Sequence, residues 1–83
     1  MLYFTYIIKS DTSGRFYTGS TDNLERRLAE HQRGKTPSTR NRGPWTLVYS
    51  KSFPTKAEAV KWEMEIKRKK NTASMERIIS ASN

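Results

Sequence analysis

The stretch that decides the fold is Tyr3 to Ser20, YFTYIIKSDTSGRFYTGS. Tyr3 to Lys9 (YFTYIIK) and Arg15 to Ser20 (RFYTGS) are rich in aromatic and β-branched residues. Asp11-Thr12-Ser13-Gly14 between them has turn chemistry, so the two runs are expected to pair as an antiparallel hairpin. If Ile8 lies opposite Tyr17, the phenols of Tyr6 and Tyr17 emerge on one face; a slip of one residue separates them, and both registers stay open at this point. Gly19 stands out, because glycine weakens a strand unless the backbone there must bend or be approached closely.

Beyond the hairpin, Asp22 is placed to cap a first helix, with Glu25 three residues on in a capping-box-like pattern, and Gly34 is placed to stop it. The segment Lys35 to Pro44 (KTPSTRNRGP) holds two prolines, a glycine and three cations and is expected to be a polar loop. Trp45 to Phe53 (WTLVYSKSF) alternates as a third strand with Trp45, Leu47 and Tyr49 on one face, and Pro54 ends it. Thr55 and Glu58 form a capping box for a second helix running to about Lys70, and a short third helix is expected from Thr72. The order is strand, strand, helix, strand, helix, helix. It predicts an α+β fold, a small three-stranded antiparallel sheet flanked by about three helices, in a single domain spanning residues 1–83.

A chain of 83 residues can bury a modest core and no more. It has no cysteine and a single histidine, His31, which excludes a disulfide framework, a thiolate zinc site and any multi-histidine metal centre. The apolar runs are too short for a membrane span or a signal peptide, so a cytoplasmic location is expected. Sixteen Lys and Arg against eight Asp and Glu give a formal charge of +8. A field of that size favours a polyanionic partner, the plain alternative being a solvated basic protein. An anionic membrane is disfavoured, since no segment sets a Trp/Leu face against a lysine face.

The informative anomalies are polar residues on apolar stripes. Leu24 and Leu28 set the inner face of the first helix, and Arg27 and His31 share it at helical spacing. Burying a cation without a partner costs several kcal/mol or more, so these groups must meet an anion, a hydrogen-bond network or a cleft. The inert alternative has Arg27 snorkelling to solvent and His31 capping the helix end. In the second helix, Ala59, Trp62 and Ile66 lie on one side of the apolar arc and Ala57, Val60 and Met64 on the other. Glu63 then falls in the middle of the buried face. A structural ion pair with Arg27 would explain it; so would a role as ligand to a hard cation, for which one carboxylate plus water and phosphate oxygens is enough.

These residues stand in a familiar order. Thr5-Tyr6-Ile7 and Tyr17-Thr18-Gly19 are followed by Asn23-Leu24, Arg27, His31, Gly34-Lys35 with Thr39-Arg40, Leu47-Val48-Tyr49, and Glu63 with Ile66-Lys67. The set resembles the GIY-YIG endonuclease domain family over nearly the whole chain, in particular its stand-alone single-domain bacterial subfamily (UPF0213-like). Thr5 replaces the first glycine of the family name and Thr18 the second isoleucine, positions that supply backbone and packing. The resemblance implies a metal-dependent endonuclease acting on nucleic acid, with DNA favoured, single-stranded DNA a candidate and no obligate protein partner. It implies that Glu63 binds one divalent ion, Mg²⁺ or Mn²⁺, that Arg27 stabilises charge on the phosphorus, and that Tyr6 or Tyr17 accepts a proton from the attacking water. An ordinary phenol titrates near about 10, so such a base needs help from the metal, a cation or His31. Arg15, Lys35, Arg40, Arg42 and Lys67 are the cations expected to track the phosphate backbone. The rival expectations are a non-catalytic nucleic-acid-binding module and, further off, a protein-interaction adaptor built around Trp45 or Trp62.

Overall fold

In the computed structural model, which describes residues 2–34, 43–69 and 71–81, the chain runs β1 (Tyr3–Ser10), β2 (Phe16–Thr21), α1 (Leu24–Gln32), β3 (Trp45–Phe53), α2 (Lys56–Lys69) and α3 (Thr72–Ala81). The strands form one antiparallel sheet in the order β2-β1-β3, the α+β arrangement expected from the sequence. Residues 35–42, most of the expected polar loop, lie outside the described residues. Among the described residues no helix is long and apolar enough to cross a membrane.

As the central strand, β1 is covered on both sides. Thr5, Tyr6, Ile7 and Ile8 are all fully buried, and the strand therefore reads as a continuous apolar run rather than an alternation. The hairpin turn closes with Gly14 donating to the Ser10 carbonyl at 2.9 Å, at a φ of +74° that suits glycine. Its register sets Ile8 opposite Tyr17 and Tyr6 opposite Gly19. Tyr6 and Ile8 then point to one face, where they pack with Trp45, Tyr17, Leu24 and Leu28. Ile7 points to the other, with Tyr49, Ile66 and Met75. Thus α1 covers one face and α2 with α3 the opposite one.

Three details differ from the sequence-based expectation. The strand β3 carries a bulge: Ile7 pairs with Tyr49 but Ile8 with Leu47. The extra residue, Val48, breaks the alternation, so Trp45 and Tyr49 lie on opposite faces. The cap of α1 is Asn23, whose Oδ1 accepts from the Arg26 amide at 3.0 Å; Asp22 instead pairs with the Arg26 guanidinium at 3.2 Å. With Asn23 as cap, the third helical position is Arg26, and Glu25 falls one residue short of a capping box. In α2 the buried stripe is narrower than expected. Ala59 and Ile66 are buried, Trp62 and Glu63 half-buried, while Ala57 and Met64 face solvent, because the helix meets the sheet along one i, i+3, i+4, i+7 row. Glu63 consequently sits at the margin of the buried face, not in its middle.

The other helix signals act as expected. Thr55 Oγ1 accepts from the Glu58 amide at 3.3 Å, and Gly34, at φ +73°, ends α1 by donating to the His31 carbonyl at 3.1 Å. Gln32 then ties α1 to β3, its Oε1 accepting from the Trp45 amide at 2.9 Å and its Nε2 donating to the Trp45 carbonyl.

Candidate active site

The hairpin register brings the phenols of Tyr6 and Tyr17 together, with ring centroids 6.5 Å apart. Gly19 is what lets Tyr6 lie there. A Cβ at position 19 would fall 2.6 Å from the Tyr6 hydroxyl oxygen and 2.8 Å from Cζ, well inside van der Waals contact. The phenol crosses the β2 backbone and forms a buried hydrogen bond with Nε2 of His31, 2.8 Å away. His31 is 1 % exposed, and the Tyr17 ring meets its ring edge-on at 4.9 Å between centroids. It sits one helical turn beyond Arg27, its ring in contact with both tyrosines.

Burial sets the electrostatics of this group. Loss of solvation pushes the Tyr6 phenol up to about 12, opposed by a hydrogen bond and the positive charge of Arg27, while the charges of Tyr17 and Glu63 act in the upward direction. Burial, helped by the Arg27 charge and opposed by Glu30, holds His31 down at about 4. Arg27 is itself raised above its ordinary range, chiefly by its hydrogen bond with Tyr6. At neutral pH the set is thus a protonated phenol, a neutral imidazole and a fixed cation. Arg27 is partly open to solvent and pairs with Glu30 at 3.0 Å. The structural ion pair considered for Arg27 and Glu63 does not form; Glu63 pairs with Lys67.

Glu63 reaches the site from the other face, at the edge strand β2. Ser20 pairs with Thr5 across the hairpin and points toward α2, where its Oγ donates to Glu63 Oε1 at 2.7 Å. Lys67, one turn along α2, donates to Oε2 at 2.6 Å. The Glu63 side chain is 15 % exposed, so its carboxylate is oriented yet still reachable. Among the described residues no group of three or more His, Cys, Asp or Glu surrounds a common point. Sequence reasoning missed Ser20 and Glu30. Glu30 carried a signal, its i, i+3 spacing from Arg27; Ser20 carried none, since its partner is 43 residues away. Of the expected phosphate-tracking cations, Arg15 is exposed at the hairpin turn and Lys67 stands beside Glu63. Lys35, Arg40 and Arg42 lie outside the described residues.

Two tyrosines from the hairpin and an arginine and a histidine from α1 thus gather on one face of the sheet, and a glutamate from α2 meets β2 from the other. Residues 2–77 match the model of the GIY-YIG catalytic domain, and the chain belongs to that family. It is similar to the UPF0213 protein BH0048 of Halalkalibacterium halodurans, 43% identical over 68 residues, which cover 81% of this chain and 71% of that protein. It is also similar to the UPF0213 protein VNG_2274C of Halobacterium salinarum, 40% identical over 81% of this chain and 87% of that one. In the UPF0213 protein SG0387 of Sodalis glossinidius, 38% identical, the matched part spans 63% of the relative's length. The solution NMR structure of the UPF0213 protein BH0048 from Bacillus halodurans superposes with a TM-score of 0.62 at 38% identity, covering 98% of this chain and 85% of that one.

Proposed function

We propose that this chain is a metal-dependent endonuclease that hydrolyses phosphodiester bonds in nucleic acid, with DNA favoured and single-stranded DNA among its substrates, and that residues 1–83 act as a single catalytic domain. The observation that carries this is the hydrogen-bonded pair of Tyr6 and His31, with Arg27 and Glu63 near enough to act on the Tyr6 phenol by their charges. The chain's charge of +8 supports a polyanionic substrate.

Glu63 fits a hard divalent ion, Mg²⁺ or Mn²⁺. Its hard oxygen donors touch a hydroxyl and an ammonium that can be exchanged. With no cluster of further protein donors among the described residues, water and phosphate oxygens would complete the shell, as they commonly do for magnesium. Such an ion, when bound, would supply positive charge at the scissile phosphate.

The chain's own groups then divide the work. As water attacks phosphorus, the new P–O bond forms and the bond to the leaving oxygen breaks. The hydroxyl of the half-buried Tyr17 accepts the water proton as it gives up its own to solvent, and the leaving oxygen takes up a proton from solvent. Tyr6, fully buried and hydrogen-bonded with Nε2 of the neutral His31 at 2.8 Å, holds the imidazole against the Tyr17 ring and so positions that phenol. Arg27 stabilises the charge gathering on the phosphoryl oxygens. Arg15 and Lys67, with Lys35, Arg40 and Arg42, hold the flanking phosphates.

The test is cleavage of labelled single- and double-stranded DNA and RNA with Mg²⁺ or Mn²⁺, with EDTA and Glu63→Ala as controls. Metal-dependent cutting that disappears in Glu63→Ala is the expected result. Salt-sensitive binding without cutting under either metal would overturn the proposal and leave a non-catalytic nucleic-acid-binding module.

A further inference from the structure

A cavity of about 500 Å³ opens between the hairpin and the α2–α3 junction, within the ~300–1,000 Å³ range of small-molecule sites. Its apolar walls are Phe16, Ile66 and Met75, and its polar ones include Arg15, Lys67 and Asn71. Tyr17 borders it as part of β2, its ring being turned to the α1 face, and Lys67 contacts the Glu63 carboxylate. The cavity therefore adjoins the proposed reaction centre at Glu63. The described residues lining it include two cations and no carboxylate. Neighbouring cavities differ: one carries Glu58 and Glu65, another Glu76.

We propose that this cavity is a nucleotide subsite that takes the base of one unpaired nucleotide next to the scissile phosphate. It rests on the nucleic-acid substrate proposed above and specifies how that substrate is held. A flat base needs apolar and polarisable surface on its faces, which Phe16 and the Met75 thioether provide, and donors at its edge, which Asn71 and Lys67 provide. Its phosphate needs cations at the mouth, where Arg15 and Lys67 stand. A base inside a duplex is stacked above and below and paired along its edge, so it cannot enter without being extruded. The occupant is accordingly a nucleotide of a single strand, a loop or a frayed end.

The methionines report occupancy directly. Met75 is 8 % exposed at the cavity wall, whereas Met64 is 58 % exposed on another flank of α2 and serves as an internal control. The chain labelled with ¹³C at the methionine methyls is titrated in EDTA, which prevents cutting, with a short oligothymidylate, the equivalent abasic deoxyribose-phosphate strand and a blunt duplex. The expected result is a ring-current shift of the Met75 methyl with the oligothymidylate and none with the abasic strand or the duplex. Affinity for the abasic strand should be roughly 5- to 100-fold weaker, the range of a lost base stack. A Met75 methyl unmoved at saturation with the oligothymidylate, or equal affinity for the abasic strand, overturns the proposal. Because no step requires cutting, a chain that cleaves with Met75 unmoved sinks the subsite alone. A chain that never cleaves but shows the shift keeps the subsite and loses the nuclease.

Discussion

Gly19→Ala introduces a single methyl group, and the geometry states where it goes. The new Cβ would lie 2.6 Å from the Tyr6 hydroxyl oxygen, 2.8 Å from Cζ and 3.1 Å from Cε1, against an ordinary contact of about 3.5 Å. Relief requires a displacement approaching 1 Å. The ring cannot simply swing aside, because Tyr6 is fully buried and its oxygen is bonded to His31. Overpacking of this kind costs about 1–3 kcal/mol, and for a domain of this size each kcal/mol lowers Tm by roughly 4–8 °C. The assay is urea unfolding of wild type, Gly19→Ala, Tyr6→Phe and the double variant. Removing the hydroxyl deletes the nearest clashing atom, so the double variant should be less destabilised than the sum of the singles, with a coupling on the order of 1 kcal/mol. Under the proposed function, cleavage by Gly19→Ala should fall on the order of 100-fold, as expected for a catalytic group misplaced by about 1 Å. An unchanged urea midpoint in Gly19→Ala, or strict additivity in the cycle, would refute the close-approach account of this glycine.

The histidine makes stability depend on pH. With His31 held at about 4 in the fold against 6.5 when unfolded, the unfolded chain binds the extra proton between those values. Its contribution is therefore full above pH 6.5 and is lost as pH falls toward 4, by at most about 3 kcal/mol. Urea midpoints measured from pH 7.5 to 4.5 should drop in wild type and drop less in His31→Gln; equal slopes would count against a buried neutral imidazole. Ser20→Ala leaves Glu63 Oε1 without its donor and should raise the Mn²⁺ concentration needed for half-maximal cleavage by roughly 10-fold or more, while oligonucleotide affinity in EDTA stays unchanged. Lys67→Met frees Oε2. It should lower the Mn²⁺ requirement yet weaken oligonucleotide binding and flatten its salt dependence, a split visible in fluorescence anisotropy at several NaCl concentrations.

Much of this fold could be read because local signals and the final structure agree. The turn at residues 11–14, the stop at Gly34 and the Thr55 cap are each settled by a few neighbouring residues. The inward placement of Arg27 and His31 follows from helical spacing alone. What was not legible depends on pairing across the chain. The bulge at Val48 arises where β3 docks on β1, so a strand that alternates cleanly in sequence still delivers Trp45 and Tyr49 to opposite cores. The cap of α1 moved by one residue because Asp22 and Asn23 are both competent, and the Asn23 amide is fixed by the Thr21 hydroxyl at 3.1 Å. Glu63 was singled out by its stripe and Lys67 as a cation, but Ser20 was not, since it reaches Glu63 from a strand 43 residues away.

Consecutive residues of β2 serve the two halves of the site. Tyr6, Tyr17, His31 and Arg27 belong to the α1 face, whereas Glu63 lies on the α2 face. Between them is one short edge strand, six residues long. Gly19 leaves that strand thin enough for the Tyr6 phenol to lie against its backbone, and Ser20, pointing the opposite way, holds the Glu63 carboxylate. A shift of β2 by a fraction of an ångström would move the phenol and the carboxylate together. The strain introduced at Gly19 should therefore reach Glu63 as well as Tyr6. In Gly19→Ala the Mn²⁺ requirement should rise alongside the loss of rate, as it does in Ser20→Ala, whereas Tyr6→Phe, which leaves the strand in place, should lower the rate with the Mn²⁺ requirement unchanged. If Gly19→Ala and Tyr6→Phe shared one Mn²⁺ profile, the two faces would be independent and β2 would be only a scaffold.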